Sequence, residues 1–284
     1  MKKKSILTFI SFLFAVSVFG QAAPDTSWKK GGFIGVNFNQ INLSQWSQGG
    51  ENSLSLSSNV NLFANYAKDK TEWSNILDLG YGLLKSGTQG VRKNDDKIDF
   101  TSKYGHKMSA HWLYSALFNF KSQFANGYAY PNDSFVISKF LAPGYFTLAL
   151  GFTYKPVDYF EVFISPATGK ITMVSDTKLS DLGAYGVDPG KSTRNEFGAY
   201  LNMKFKKDIM ENITLATKLE LFNNYTDKDK NNAKKIDVNW ESSLLMKINN
   251  LFTASLNTVV IYDANVVERT QFKEVFGVGF GYKF

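Results

Sequence analysis

The sequence predicts an all-β fold: an antiparallel up-and-down transmembrane β-barrel of about twelve strands, preceded by a cleaved signal peptide. Three observations predict it. Apolar and polar residues alternate with period two along most of the chain after residue 30. Connections between the alternating stretches are short and long by turns. The alternation also runs into the last residue, Phe284, which is aromatic.

Bulk composition agrees. The chain has 284 residues, 15% of them aromatic, with 25 Phe and 14 Tyr. Flat rings favour the pleated surface of strands. Mean hydropathy is −0.21, a value that alternating strands reach by averaging an apolar and a polar face. There is no Cys, which excludes disulfides, thiolate metal sites and a lipid anchor on cysteine. Two His, His106 and His111, are too few for a multi-histidine metal centre. We therefore expect no metal and no cofactor. The net charge is +7, and removal of Lys2, Lys3 and Lys4 leaves +4. The remaining bases are scattered among acids, so no nucleic-acid partner is expected.

Residues 1–20 read as a signal peptide. Lys2 to Lys4 form a positive start, an apolar run extends from Ser5 to Phe19, and small residues precede Gln21. The run is shorter than the roughly 20 residues that a spanning helix needs. Residues 21–31 are expected to be a short periplasmic segment and 32–284 the barrel.

The strands follow in order. Ile34, Val36 and Phe38 begin the series. Leu54 to Tyr66, Trp73 to Leu83, and Ile98 to Tyr104 continue it. Then come Trp112 to Phe120, Phe146 to Tyr154, Phe160 to Ile164, Phe197 to Phe205, and Ile213 to Leu221. Ile236 to Met246, Phe252 to Val260, and Phe276 to Phe284 complete it. Many runs reach the 9–11 residues or so that a spanning strand needs, against about 5–6 for a globular strand. Short turns are read near 68–70, 106–109, 155–159, 207–212 and 249–250. Long loops are read near 44–52, 86–96, 125–142, 165–193, 226–234 and 263–270. If the first strand starts in the periplasm, every short turn falls there and every long loop falls outside. The longest loop, 165–193, is placed to fold into the mouth.

Two observations assign the apolar face to lipid. Tyr66, Trp73, Tyr104, Trp112, Tyr154, Phe160, Phe205 and Phe252 all lie on that face beside short turns, the level of an aromatic girdle. Phe280, Tyr282 and Phe284 end a strand that must close on the first, and they resemble the terminal signal read by the outer-membrane barrel-assembly machinery. The opposite face must then point inward. It carries Glu72, Asp78, Asp99, Lys103, Lys121, Glu196, Lys204, Lys218, Glu220, Asp237 and Glu241. Both signs are present, so a crossed-charge lumen is expected, and these residues are the candidate pore lining.

Several stretches carry a family resemblance: 46–52 (WSQGGEN), Asp78-Leu79-Gly80-Tyr81-Gly82, 93–103 (KNDDKIDFTSK), Tyr130-Pro131-Asn132-Asp133-Ser134, and 271–279 (QFKEVFGVG). They resemble the domain of unknown function 3078 family, outer-membrane proteins of Bacteroidota, over about residues 28–284. The resemblance implies an outer-membrane location and no activity.

Catalytic sets are not evident. His111 is read as an inward strand residue and His106 as part of a turn, both solvated or satisfied. Asp227-Lys228-Asp229-Lys230-Asn231 starts like a calcium loop but lacks the sixth-position Gly and the final Glu. Arg92, Lys93, Asp95, Asp96 and Lys97 read as a charged loop, with Arg92 and Lys93 available to lipopolysaccharide phosphates. The expected function is a non-enzymatic outer-membrane barrel: a narrow channel for small polar solutes, or a structural or binding protein. Its expected partners are outer-membrane lipid, lipopolysaccharide and the assembly machinery. An outer-membrane enzyme acting on lipid or lipopolysaccharide and a soluble periplasmic ligand-binding barrel are the alternatives.

Overall fold

A computed structural model describes residues 27–43, 51–229, 231 and 235–284. The signal peptide at 1–20, most of the 21–31 segment and the WSQGG stretch lie outside the described residues. The strands are β1 (Trp28–Ile41), β2 (Ser53–Lys68), β3 (Thr71–Ser86), β4 (Arg92–Lys107), β5 (Trp112–Ser122), β6 (Gly127–Tyr128) and β7 (Val136–Ser138). They continue with β8 (Gly144–Val157), β9 (Phe160–Met173), β10 (Thr193–Met210), β11 (Ile213–Asn224), β12 (Asp237–Lys247), β13 (Phe252–Asp263) and β14 (Val267–Lys283). A single helical turn, α1, spans Thr177–Asp181.

Twelve of these strands close into one antiparallel barrel, each beside its neighbour in sequence, with β6 and β7 forming a separate hairpin in the β5–β8 connection. The barrel closes where β1 meets β14, from Phe33 opposite Lys283 to Phe38 opposite Val278. Phe284 belongs to that seam: its N–H donates to Gly32 at 3.1 Å and its carbonyl accepts from Gly32 at 2.9 Å. A chain end that would otherwise fray is held by the closure.

Outward residues are apolar. Phe280 is 50% and Tyr282 64% exposed, whereas the side chains of Lys218 and Asp237 are only 18% and 17% exposed. That is the inverse of a soluble ligand-binding barrel, which buries its apolar face. Outward indoles still satisfy their N–H groups, as an apolar surrounding demands. Trp73 Nε1 donates to Ser102 Oγ at 2.9 Å, and Trp240 Nε1 donates to Thr217 Oγ1 at 2.8 Å.

Several strands run further than their apolar pattern. The β13–β14 connection is only 264–266, the β3–β4 connection only 87–91, and β9 continues to Met173. Charged residues such as Glu268 and Arg269 obscured these extensions, yet beyond an apolar band a strand can carry charge at no desolvation cost. In β9 the pattern breaks at Ser165-Pro166, where the register shifts against both neighbours. Ser165 Oγ donates to Leu150 O at 2.7 Å there. Gly151 is required at this bulge, because a Cβ on it would lie 2.0 Å from Ile164 O.

Candidate functional site

The interior of the barrel is the candidate site, and it has two unlike halves. A crossbar of ion pairs separates them. Asp99, on β4, receives Lys218 Nζ from β11 at 2.8 Å and Asn119 Nδ2 from β5 at 2.6 Å. Lys97, also on β4, reaches Glu241 on β12 at 2.5 Å. Lys121 on β5 pairs with Glu220 on β11, and Glu220 also accepts from Tyr200 Oη at 2.6 Å. The three ion pairs join strands that are not neighbours, β4 to β11, β4 to β12 and β5 to β11, so they span the lumen, while Asn119 and Tyr200 join from adjacent strands.

Two further groups lie along the barrel. Towards the short-turn end, Lys103 meets Glu161 at 2.8 Å, Lys204 meets Glu161 at 3.7 Å, and Glu72 meets Lys107 at 3.1 Å. Towards the long-loop end, Lys170 meets Asp237 at 2.8 Å and Asp263 at 3.6 Å, while Arg194 meets Glu196 at 3.1 Å. Asp78 stands on the other side of β4 and accepts from Asn61 Nδ2 at 2.5 Å. All eleven charged residues read from the sequence thus sit in polar contacts of the interior. Lys97, Glu161, Lys170, Arg194 and Asp263 join them and were missed. The period-two phase of Asp99 and Phe163 already placed Lys97 and Glu161 inward. Lys170 lies beyond the β9 bulge, where the phase inverts.

On the β5–β11 side the lumen is filled. Leu117, Ala149 and Phe163 are fully buried and pack with Tyr200 and Phe222. This inward apolar cluster departs from the expected polar lining. Lys170 Nζ lies 5.0 Å from the Phe222 ring centre, joining cluster and charge.

On the β14–β1–β2–β3 side most inward positions at mid-strand are amides, hydroxyls and glycines, with Phe33, Phe63, Ile76 and Asp78 among them. Asn59 faces the lumen between Gly35 and Gly80 and is exposed even so. A cavity of about 100 Å³ near the long-loop end is lined by Asn37, Asn39, Ser55, Ser57, Asn94 and Asp95 among others. Two inward rings lie below it. A Cβ on Gly35 or Gly281 would meet Phe33 at 2.9 Å, and one on Gly31 would meet Phe63 at 2.8 Å. These glycines are what let the rings lie against the wall.

The expected girdle residues line the outward short-turn end. Tyr66 pairs with Trp73 and Trp73 with Tyr104; Trp112 stacks on Tyr154 at 4.8 Å; Phe160 pairs with Phe205; Phe252 packs on Phe280 at 4.9 Å. Trp28 completes one arc at 5.3 Å from Tyr66, and Tyr159 another at 5.8 Å from Phe205.

At the opposite end the 174–192 connection folds into a small cap. Val174, Leu179 and Val187 bury themselves with Ala142 from the preceding long loop. Asp176 caps α1 by accepting from Leu179 N at 3.0 Å and pairs with Lys139. The Lys139 ammonium holds the Asp176 carboxyl below its ordinary pKa, helped by the Leu179 N–H. Tyr185 donates to Ile137 O at 2.6 Å, and burial raises its phenol above the ordinary value. The cap rests on Arg194: a Cβ on Gly186 would lie 2.3 Å from its Nη1.

The readings of the two histidines and of Arg92–Asp96 are corrected. His106 lies within β4, outward and exposed, while His111 lies in the turn before β5. The segment around Arg92–Asp96 is strand, not solvated loop. Lys93 binds Asp96 at 2.8 Å and Ala125 O at 2.7 Å, and Arg92 stacks 4.7 Å from the Tyr130 ring. At Asp227–Asn231 two carboxylates accept from backbone N–H groups two residues on, at 2.9 and 2.8 Å, which makes a turn. Among the described residues no group of three or more His, Asp or Glu is placed to hold a metal ion.

Residues 38–128 match the family described as Protein of unknown function (DUF3078). The match agrees with the resemblance at 46–52, 78–82 and 93–103, does not reach 130–134 or 271–279, and brings no activity with it. No curated protein matches the chain. Among solved structures it is similar to an outer membrane channel from Pseudomonas putida at 14% identity, over 93% of this chain and 99% of that one, with a TM-score of 0.39. The NanC porin gives 9% identity over 88% and 98% with 0.40, and the translocator domain of the autotransporter NalP from Neisseria meningitidis gives 11% over 98% and 93% with 0.37. Likenesses at these levels are of barrel architecture, and nothing about activity follows from them.

Proposed function

We propose that the chain is an integral outer-membrane barrel, non-enzymatic, that passes small polar solutes through the unfilled half of its lumen. The observation that carries this is Asn59: an inward residue at mid-strand, flanked by Gly35 and Gly80, that remains open to water. The outward apolar face and the aromatic belt at the short-turn end support the membrane placement. Both histidines lie towards the short-turn end, away from the crossbar, which supports a role without acid–base chemistry.

Two measurements test this reading. Membrane fractionation with heat-modifiable gel migration is expected to find a folded barrel in the outer membrane; release with the periplasm would sink the location. Planar-bilayer recording of the purified, folded protein is expected to show small discrete conductance steps. A silent bilayer would leave the structural or binding role, which the cap over Arg194 favours.

A further inference from the structure

We infer that the open half of the lumen binds a neutral, hydroxyl-rich solute with an apolar face, the chemistry of a small saccharide. This deepens the channel reading and rests on it. The charges near this half are already engaged. Asp99, Lys97 and Glu241 satisfy one another in the crossbar, Asp95 at the cavity is paired with Lys273, and Asp78 keeps its charge while accepting from Asn61 at 2.5 Å. A charged solute would meet few unpaired counter-charges there and would lose its hydration on entry.

Apart from Asp78 and the Asp95–Lys273 pair, what the open wall offers is neutral. Asn37, Ser57 and Asn59 present amides and a hydroxyl, which both donate and accept. That matches hydroxyl groups, which do the same. Beneath them Phe33 lies across Gly35 and Gly281, and Phe63 lies over Gly31. Three glycines on β1 and β14 leave room for two flat rings against the wall. A sugar ring presents polar edges and an apolar C–H face, so the same wall meets both. Pockets that bind small molecules combine such apolar faces with a few placed polar groups. Placing large rings on the inner wall of a pore narrows it, and an ion-conducting pore gains nothing from that.

The test is single-channel recording with saccharide added to one side. Glucose and a neutral glucose trisaccharide are expected to block the current in a concentration-dependent way. Glycerol, which has hydroxyls but no ring face, is expected to block far less. The Phe33→Ala/Phe63→Ala variant, confirmed folded by heat-modifiable migration, should raise the half-blocking concentration about tenfold, the equivalent of about 1.4 kcal/mol, with conductance intact or larger. Asn59→Asp should weaken the block and shift ion selectivity towards cations. Current that ignores saccharide, or that glycerol blocks as well as glucose does, overturns this inference and leaves the channel standing. Folded protein that passes no current overturns both.

Discussion

The two halves of the lumen are built on the same period-two alternation and come out opposite. Between β5 and β11 the inward residues are large and buried: Leu117, Phe163, Tyr200 and Phe222. Between β14 and β3 they are small or amide: Gly277, Gly279, Asn37, Ser57 and Asn59. The lesson is that facing inward is not the same as being packed. Side-chain volume, summed across a closed wall, decides which part of the interior is solid and which holds water.

That contrast can be broken most severely at the crossbar. Asp99 is 1% exposed and gathers Lys218 and Asn119. Asp99→Ala should cost about 3 kcal/mol, because it strips the buried Lys218 ammonium of its 2.8 Å partner and leaves it Glu241 and Glu220 at 3.6 and 3.7 Å. Asn59→Ala in the open half should stay within about 0.5 kcal/mol. Denaturant unfolding in detergent micelles reads both, and equal losses would erase the distinction. Next is the filled side: Phe163→Ala should cost about 3 kcal/mol as a cavity, and Phe33→Ala clearly less, because the Phe33 ring is only part-buried. A third comparison sets the outer wall against the inner one. Leu148, outward and 60% exposed, changed to Arg should cost about 2 kcal/mol in lipid, whereas Asn37→Arg inside should mainly change conductance. If Leu148→Arg folds unimpaired in vesicles, the wall does not face hydrocarbon.

The smallest effect concerns the cap. Asp176 is depressed by Lys139 in the folded state, so its contribution is complete above the unfolded carboxyl value of about 4. It fades as pH falls through the lower folded value. Protection from hydrogen exchange across 174–192, taken against the intrinsic rate at each pH, should therefore fall on acidification below about pH 4 and stay level between pH 5 and 8. Asp176→Asn should show the lower protection at every pH.

Much of this was legible in the residues. Twelve strands, the outward phase of Phe280 and Tyr282, and the inward phase of Asp99, Lys218 and Glu241 follow from alternation, because a pleated strand has only two faces. The girdle positions followed from rings beside turns. The bulges were not legible. At Ser165-Pro166 in β9 and at Asn94 in β4, opposite Gly82 and Leu83, an extra residue inverts the phase beyond it, so Lys170 and Arg92 could not be assigned. Phe33 and Phe63 were missed because an aromatic residue on a barrel strand reads as outward, and only their neighbours Gly31, Gly35 and Gly281 show that the wall has room for them.

Local chemistry alone therefore determined the strand number and, up to the bulges, the two faces of each strand, since these are properties of neighbours along the chain; the connections 87–91 and 264–266 came out short where long loops were expected. Which charges meet was decided elsewhere. Lys97 and Glu241 are 144 residues apart, and only closure brings β4 within reach of β12. The same closure left one half of the interior solid and the other open, because the volume inside a ring depends on all of its strands at once.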